Sequence, residues 1–242
     1  MTSTDFRLGL AGFFEAMDQP TNDGVNTYFI SQAARKTGLT VVLSGAGADE
    51  VFFLGLTSAE LDGVLGEAFA HVPPGAASSP PAAFNRLETS RYLHDQLLRD
   101  TDVFSMAHSL EARVPYLDHT IVEYVARLPA RLKLRPGVNK PLLVDAVGDP
   151  MVARQAARPK IGFSLPMRAW MEGHAGALGA MAQAANGLDR REVARLWSAF
   201  RAGRLHGSHA WALVVLGAAG GWGSGSTTSG SAGSSSTSRA AR

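Results

Sequence analysis

The sequence predicts an α/β protein that is mostly helical, with one short parallel strand at about residues 39–43 and most of the sheet missing. Leu39 to Leu43 are five apolar or β-branched residues, a pattern typical of a buried strand. The small residues Ser44 to Ala48 follow as a turn, and Asp49 and Glu50 stand at a predicted helix start. Helical patterns fill most of the other positions. No second buried strand is obvious, although a buried strand needs partners on both edges.

The first helices are predicted from apolar spacing and from their end residues. Phe6 to Met17 has a rough apolar face, and residues 18–24 form a turn. Asp23 is expected to be the N-cap of a second helix through Ala34. Gly38 stands where a helix commonly ends with a left-handed residue.

The rest of the chain is divided by loops and helix ends. Residues 72–83 are a Pro/Ser-rich surface loop, and the charged stretch Glu111 to Pro115 is expected to break a helix. The further predicted helices are Phe84 to Leu98, Asp102 to Leu110, one from Asp118 to before Pro129, one opening at Lys140-Pro141, Arg191 to Ala202 and His209 to Ala219. We expect one partial domain over residues 1–219 and a Gly/Ser-rich disordered tail over 220–242.

Composition limits the possible functions. The 242 residues contain 45% hydrophobic and 18% charged residues, which is typical of a globular protein. Without cysteine, the chain has no disulfide, thiolate metal site or cysteine nucleophile. A formal charge of +2 without a basic, aromatic-rich stripe does not favour nucleic acid. No apolar run spans a membrane and the N-terminus does not resemble a signal peptide, so a cytoplasmic location is the expectation.

The strand, turn and helix at residues 39–50 suggest a phosphate site. Open α/β sheets bind phosphates where a strand passes through a Gly-rich turn into a helix. Carboxylates at that edge can hold the Mg²⁺ that accompanies a nucleotide. The stretch is neither a P-loop nor a dinucleotide fingerprint, and such a turn is often a plain chain reversal. In that second interpretation Asp49 is only a helix N-cap or a first-turn acid.

A second polar group lies within residues 97–119. Glu111 and Arg113 stand among apolar positions, where charges are unfavourable unless they are paired. They either form a structural ion pair or line a polar wall beside a ligand, and the residues alone leave both interpretations open.

These residues carry a resemblance to a known family. The chain resembles the C-terminal synthetase domain of the glutamine-dependent asparagine synthetases, whose fold is adenine-nucleotide α-hydrolase-like. Four blocks match in order: residues 17–52, residues 97–129, the helix start at 140–143, and residues 158–171 (RPKIGFSLPMRAWM). The joint occurrence of the first, second and fourth blocks is highly specific.

The resemblance implies an ATP-dependent, Mg²⁺-dependent ligase. In this family aspartate attacks the α-phosphorus of ATP to form β-aspartyl-AMP and pyrophosphate, and ammonia then displaces AMP. Asp49 matches the acid that serves Mg²⁺ and pyrophosphate. Lys160 matches the lysine that stabilises the transferring phosphate, although without the match it would be a surface lysine. The residues implied at ATP are Ser44, Gly45, Ala46 and Gly47, and those implied on the substrate side or in a structural role are Glu50, Glu111 and Arg113.

The sequence also departs from the family. Ammonia comes from glutamine in a separate domain with an N-terminal cysteine, and this sequence has neither. The family's Ser-Gly-Gly-x-Asp-Ser phosphate loop does not occur here either. We therefore expect activity only with an upstream partner chain, and weak or no ATP binding by this chain alone. The alternatives are amidation of another carboxylate, as in β-lactam synthetases on the same scaffold, and a non-catalytic remnant.

Overall fold

A computed structural model describes residues 1–52, 80–158 and 165–219, with a few isolated positions between 62 and 75. The first part contains α1 (Ser3–Ala16), α2 (Val25–Lys36), β1 (Val41–Leu43) and α3 (Ala48–Phe52). The second contains α4 (Pro80–Leu87), a π-helix (Glu88–Leu97), α5 (Leu98–Met106), β2 (Glu111–Arg113), a 3₁₀ turn (Pro115–Leu117), α6 (His119–Arg127), α7 (Ala130–Lys133), α8 (Pro141–Val147) and α9 (Pro150–Ala156). The third contains α10 (Met167–Gly173), α11 (Ala175–Gln183), α12 (Arg190–Arg201) and α13 (Gly207–Ala219).

The described residues form a parallel sheet of two strands, β1 and β2. Val41 pairs with Glu111, and Leu43 pairs with Arg113. The mostly helical class and the strand near 39–43 are confirmed. The prediction that the segment from Glu111 merely breaks a helix is wrong, because it forms β2 and a 3₁₀ turn. The prediction that β1 is buried is also wrong, because the side chains of Val41 and Leu43 are exposed.

Most predicted helices are confirmed, with local corrections. Residues 80–83 belong to α4 rather than to a loop. The helix that contains Phe84 continues without a break through the π-helix into α5. Asp23 is not the N-cap of α2, because Gly24 occupies that position without a side-chain cap. The Asp23 carboxylate instead accepts a hydrogen bond of 2.6 Å from the Tyr92 hydroxyl.

The larger core is a helical layer built from both ends of the chain. Apolar faces of α1 and α2 pack against α10 to α13, because each amphipathic helix must bury its apolar stripe. Phe13 stacks on Phe104 of α5 with ring centroids 4.8 Å apart, which joins this core to the helix before β2. The largest fully buried side chains here are Phe6, Phe13, Phe29, Phe104, Phe200, Met171 and Leu178.

A second, smaller core lies directly behind the predicted phosphate turn. Val51 and Phe52 of α3 pack against Val125 of α6 and against partly buried residues of α8. This core fixes α3 to elements that follow it by about 70 residues or more in the sequence. The predictions for the tail at 220–242 and for Lys160 concern residues outside those described.

Candidate active site

The turn after β1 is fixed by its own hydrogen bonds. The Ser44 amide donates to the Arg113 carbonyl at 2.7 Å, which extends the β1–β2 ladder. The Ala46 amide donates to the Ser44 hydroxyl at 3.2 Å, and the Ala48 amide donates to the Gly45 carbonyl at 3.2 Å. The chain therefore reverses within four residues and enters α3 at the carboxyl end of the parallel strands, where open α/β sheets bind ligands.

The two glycines of this turn have different surroundings. Gly47 has φ +85°, and a Cβ there would overlap the Leu117 side chain. A Cβ on Gly45 would meet nothing within 4 Å. Among the described residues, no protein acceptor lies within hydrogen-bond distance of the Gly45 or Gly47 amide. Gly47 is therefore required by packing, whereas Gly45 leaves open space beside two amides.

Asp49 forms an ion pair with Lys140. The Lys140 ammonium contacts the Asp49 carboxylate, and both side chains are partly exposed. Lys140 has φ 48° and ψ 54°, a left-handed conformation that is strained for any residue with a Cβ. It also precedes Pro141, and a proline disfavours helical conformations in the residue before it. A strained residue that holds a charge beside the turn is a typical feature of functional sites.

Glu50 lies on the inner side of α3. Only 6% of its surface is exposed, and its carbonyl accepts a hydrogen bond of 2.7 Å from the Asn85 side chain. Successive residues in the first turn of α3 therefore place one carboxylate beside Lys140 and the other in the interior. This placement favours a supporting role for Glu50.

Glu111 and Arg113 form an exposed ion pair on β2. Arg113 Nε donates to Glu111 Oε1 at 2.7 Å, and the hydrogen bond to Glu111 raises the pKa of the Arg113 guanidinium. The two side chains are on one face of the strand because the positions are two residues apart. The two side chains are paired, and because the pair is exposed, its geometry leaves both a structural role and a place beside a ligand open. The Arg113 carbonyl also binds Ser44, so the second polar group adjoins the turn.

A buried carboxylate connects α5 to the loop before α2. Asp100 is 3% exposed and accepts a hydrogen bond of 2.6 Å from the Thr21 hydroxyl. Burial raises the pKa of Asp100 to about 6, against the opposing effect of the Thr21 bond, and the charges of Asp23 and Asp18 add to the increase. Burial and the hydrogen bond to Asp23 likewise raise the pKa of Tyr92.

The side chains fit a metal carried by a nucleotide. Mg²⁺ bound with ATP is held by one or two carboxylates and by the phosphates. Asp49 supplies one carboxylate at the edge of the turn. In the described ranges no group of three or more His, Cys, Asp or Glu side chains is placed to hold a metal ion. The donor set therefore suits Mg²⁺ only together with substrate phosphates.

The predicted site residues converge in part. Ser44, Gly45, Ala46 and Gly47 form the turn, Asp49 and Glu50 begin the helix after it, and Glu111 and Arg113 lie on the neighbouring strand. Lys160 lies outside the described residues. The sequence-based prediction missed Lys140 as a partner of Asp49, and its Lys-Pro dipeptide was interpreted only as a helix start. No local signal indicated that Leu117 packs against Gly47.

Comparisons with known proteins identify the family. The family model described as asparagine synthase matches residues 2–83 and 65–222. A protein of Mycobacterium tuberculosis named "Putative asparagine synthetase (glutamine-hydrolyzing)" is 25% identical over an alignment 291 residues long. The alignment covers 89% of this chain and 44% of that protein. The asparagine synthetase (glutamine-hydrolyzing) of Homo sapiens is 32% identical over 144 residues, which cover 58% of this chain and 23% of that protein.

The chain is therefore much shorter than these relatives. It spans less than half the length of the curated relatives that it matches. No helix of the described residues is long and apolar enough to cross a membrane. The family model covers most of the chain, and its α/β class agrees with the parallel strands and the helical layers of the structure. The chain belongs to the asparagine synthase family.

Proposed function

We propose that this chain forms part of an ATP-dependent carbon–nitrogen ligase that activates the side-chain carboxylate of aspartate. The observation that carries the proposal is the Ser44–Gly47 turn, with its open side at Gly45 and the Asp49–Lys140 pair at its end. Family membership supports the reaction class. Ammonia would come from a glutaminase domain on a partner chain.

The reaction accounts for the residue types at the turn. A carboxylate oxygen of aspartate attacks the α-phosphorus of ATP, the bond to the β-phosphate breaks, and pyrophosphate leaves with the bonding electrons. Ammonia then attacks the acyl carbon and AMP leaves. Negative charge increases on the leaving pyrophosphate, so amide donors and cations stabilise the transition state.

Each group near the turn has a distinct task in this proposal. The amides of Gly45 and Gly47 bind phosphate oxygens, and the missing Cβ of Gly45 lets the nucleotide approach the backbone. Lys140 supplies a positive charge for the phosphates and also orients Asp49. Asp49 would hold Mg²⁺ together with the phosphates, and the metal supplies further positive charge when bound. Lys160 is proposed as the lysine that stabilises the transferring phosphate.

A nucleotide titration followed by NMR tests the binding part even if affinity is weak. We expect Mg-ATP at millimolar concentrations to shift the amide signals of Gly45 and Gly47. Gly45→Val should remove the shift at Gly47, because its side chain fills the open space, while Gly176→Ala, at an open position on α11, should keep the shifts at both glycines. Unchanged Gly45 and Gly47 signals at about 10 mM Mg-ATP, roughly ten times a Kd of 1 mM, would contradict nucleotide binding.

The substrate part needs an exchange assay with a partner that completes the enzyme. We expect aspartate to drive incorporation of labelled pyrophosphate into ATP, and Lys160→Ala to abolish it. Exchange driven by another carboxylate and not by aspartate would favour the alternative amidation reaction. The observation that favours a non-catalytic remnant is the two-stranded sheet of the described residues. Nucleotide binding without exchange for any acid would support that candidate.

A further inference from the structure

Asn139 connects the loop before α8 to the end of α9. Its side-chain amide donates to the Ala156 carbonyl at 3.2 Å and, over a longer distance of 3.5 Å, to the Arg158 carbonyl. α9 ends at Ala156, and the last carbonyls of a helix have no partner within the helix. Asn139 supplies a donor from outside the helix, and these bonds in turn fix the Asn139 side chain to α9.

The residue after Asn139 lies between two anchored positions. Pro141 is fully buried and is the first residue of α8. Lys140 has φ 48° and ψ 54°, and its carbonyl accepts a hydrogen bond of 3.1 Å from the Val144 amide of α8. A left-handed conformation is disfavoured roughly tenfold for a residue with a Cβ. The contacts on both sides of Lys140 must therefore compensate for the conformation between them.

The left-handed conformation decides the direction of the Lys140 side chain. In this conformation the ammonium contacts the Asp49 carboxylate at the start of α3. A change of φ from 48° to an ordinary value of about −65° would turn the Cα–Cβ bond by about 110° about the N–Cα bond. The side chain would then start in another direction and lose Asp49. The ion pair therefore depends on the backbone that Asn139 and Pro141 hold.

We propose that Asn139 is a positioning residue: its bonds to the end of α9 keep Lys140 left-handed, and this conformation directs the Lys140 ammonium to Asp49. Asn139 acts through Lys140 and not on the nucleotide itself. The effect on the ion pair rests on the geometry of the loop alone. The consequence for phosphate binding at the Ser44–Gly47 turn rests on the proposed function.

The alternative role of Asn139 is a structural cap of α9. Such a cap would stabilise the last turn of that helix and leave Lys140 unaffected. The strain at Lys140 favours the positioning role, because it requires an anchor close by. Another attachment of the same loop, the ion pair of Arg135 with Asp145, is exposed, and exposed pairs contribute little. Asn139 is therefore the stronger anchor on the N-terminal side of Lys140.

An NMR experiment on the full chain tests the proposal without nucleotide. The nuclear Overhauser effect between the Lys140 ε-protons and the Asp49 β-protons reports the ion pair. We expect Asn139→Ala to lower its intensity to roughly a tenth, the share that a left-handed residue keeps without compensation. Asn139→Asp keeps the size of the side chain but removes the donor, and it should cause the same loss. Arg135→Ala changes the same loop at an exposed ion pair and should leave the intensity unchanged.

The outcomes of this experiment separate the two roles. An unchanged intensity in both Asn139 variants, with faster hydrogen exchange in the last turn of α9, would overturn the proposal and leave a structural cap. An equal loss in Arg135→Ala would also overturn it, because any loosening of the loop would then be sufficient. Loss of the folded circular dichroism signal in both Asn139 variants would likewise assign a structural role.

A double-mutant cycle connects the ion pair to nucleotide binding. Asn139→Ala should weaken Mg-ATP binding by the same factor as Lys140→Ala, and the double variant should bind no more weakly than either, because both changes remove one interaction. Additive losses would overturn the proposal. If Mg-ATP shifts no signal of the wild-type chain, the proposed function is contradicted, whereas the positioning of Lys140 is still decided by the Overhauser effect.

Discussion

Replacement of Gly47 by alanine tests how the turn after β1 is held. Gly47 has φ +85°, and its missing side chain leaves room for Leu117, which packs against the smaller core. An alanine must therefore adopt a left-handed backbone and displace Leu117. Both effects act on the folded state, so the variant should be less stable than the wild type.

The expected loss can be built from these two contributions. The left-handed backbone costs about 1–2 kcal/mol for a residue with a Cβ. Overlap with a packed leucine costs about 1–3 kcal/mol, because the neighbour must move against the core. The free energy of unfolding should therefore fall by about 3 kcal/mol. For a domain of this size the melting temperature should fall by roughly 10 °C.

Urea unfolding followed by circular dichroism measures this loss, with Gly45→Ala as the matched control. A Cβ on Gly45 meets no atom within 4 Å, and its φ is not in the left-handed region. Gly45→Ala should therefore change the free energy of unfolding by less than about 0.5 kcal/mol. If Gly47→Ala were as stable as Gly45→Ala, the conclusion that the left-handed backbone at Gly47 and its contact with Leu117 require a glycine would be refuted.

Three further predictions concern the ionisable groups. Folding raises the pKa of Asp100 to about 6, so its contribution to stability is complete below pH 3.8 and is lost as pH rises through 6. Asp100→Asn keeps an acceptor for the Thr21 hydroxyl but carries no charge, so its free energy of unfolding should exceed that of the wild type by about 2 kcal/mol at about pH 7 and equal it near about pH 3.5. Urea titrations at both pH values measure this difference, and a difference that did not change with pH would contradict the prediction. Lys133 donates to the Val125 carbonyl at 3.1 Å and is buried, so Lys133→Ala should lower the free energy of unfolding by about 2 kcal/mol in the same assay. Arg113→Ala should leave thermal stability unchanged because the pair with Glu111 is exposed; a clear loss of melting temperature would show a structural role.

The sequence was most informative where local chemistry decides the structure. The apolar run before Ser44 predicted β1, and Gly38 has the expected left-handed conformation with φ +90°. Asp118 is the N-cap of α6, where its carboxylate accepts from the Thr120 amide at 2.9 Å. Pro141 is the first residue of α8. Each of these features depends on residues within a few positions, so a single sequence contains the necessary information.

Features that depend on distant partners could not be predicted in this way. Glu111 to Arg113 is a charged segment without strand periodicity, and it becomes β2 because its backbone pairs with β1. Asp23 would cap α2 on local evidence, but the Tyr92 hydroxyl is the partner of its carboxylate. The ion pair of Asp49 with Lys140 joins residues that lie 91 positions apart in the sequence. Tertiary contacts override local preference in all three cases.

The turn and the strand before it depend on different parts of the fold. Leu117, Lys140 and Arg113 hold the turn, and all of them follow it in this chain. The open edge of β1 has no comparable partner among the described residues. The turn therefore keeps its shape although the described residues give β1 only one neighbouring strand. Since binding energy depends on all groups that surround the phosphates, a turn that the described residues hold from one side accounts for the weak nucleotide binding that we expect of the chain alone.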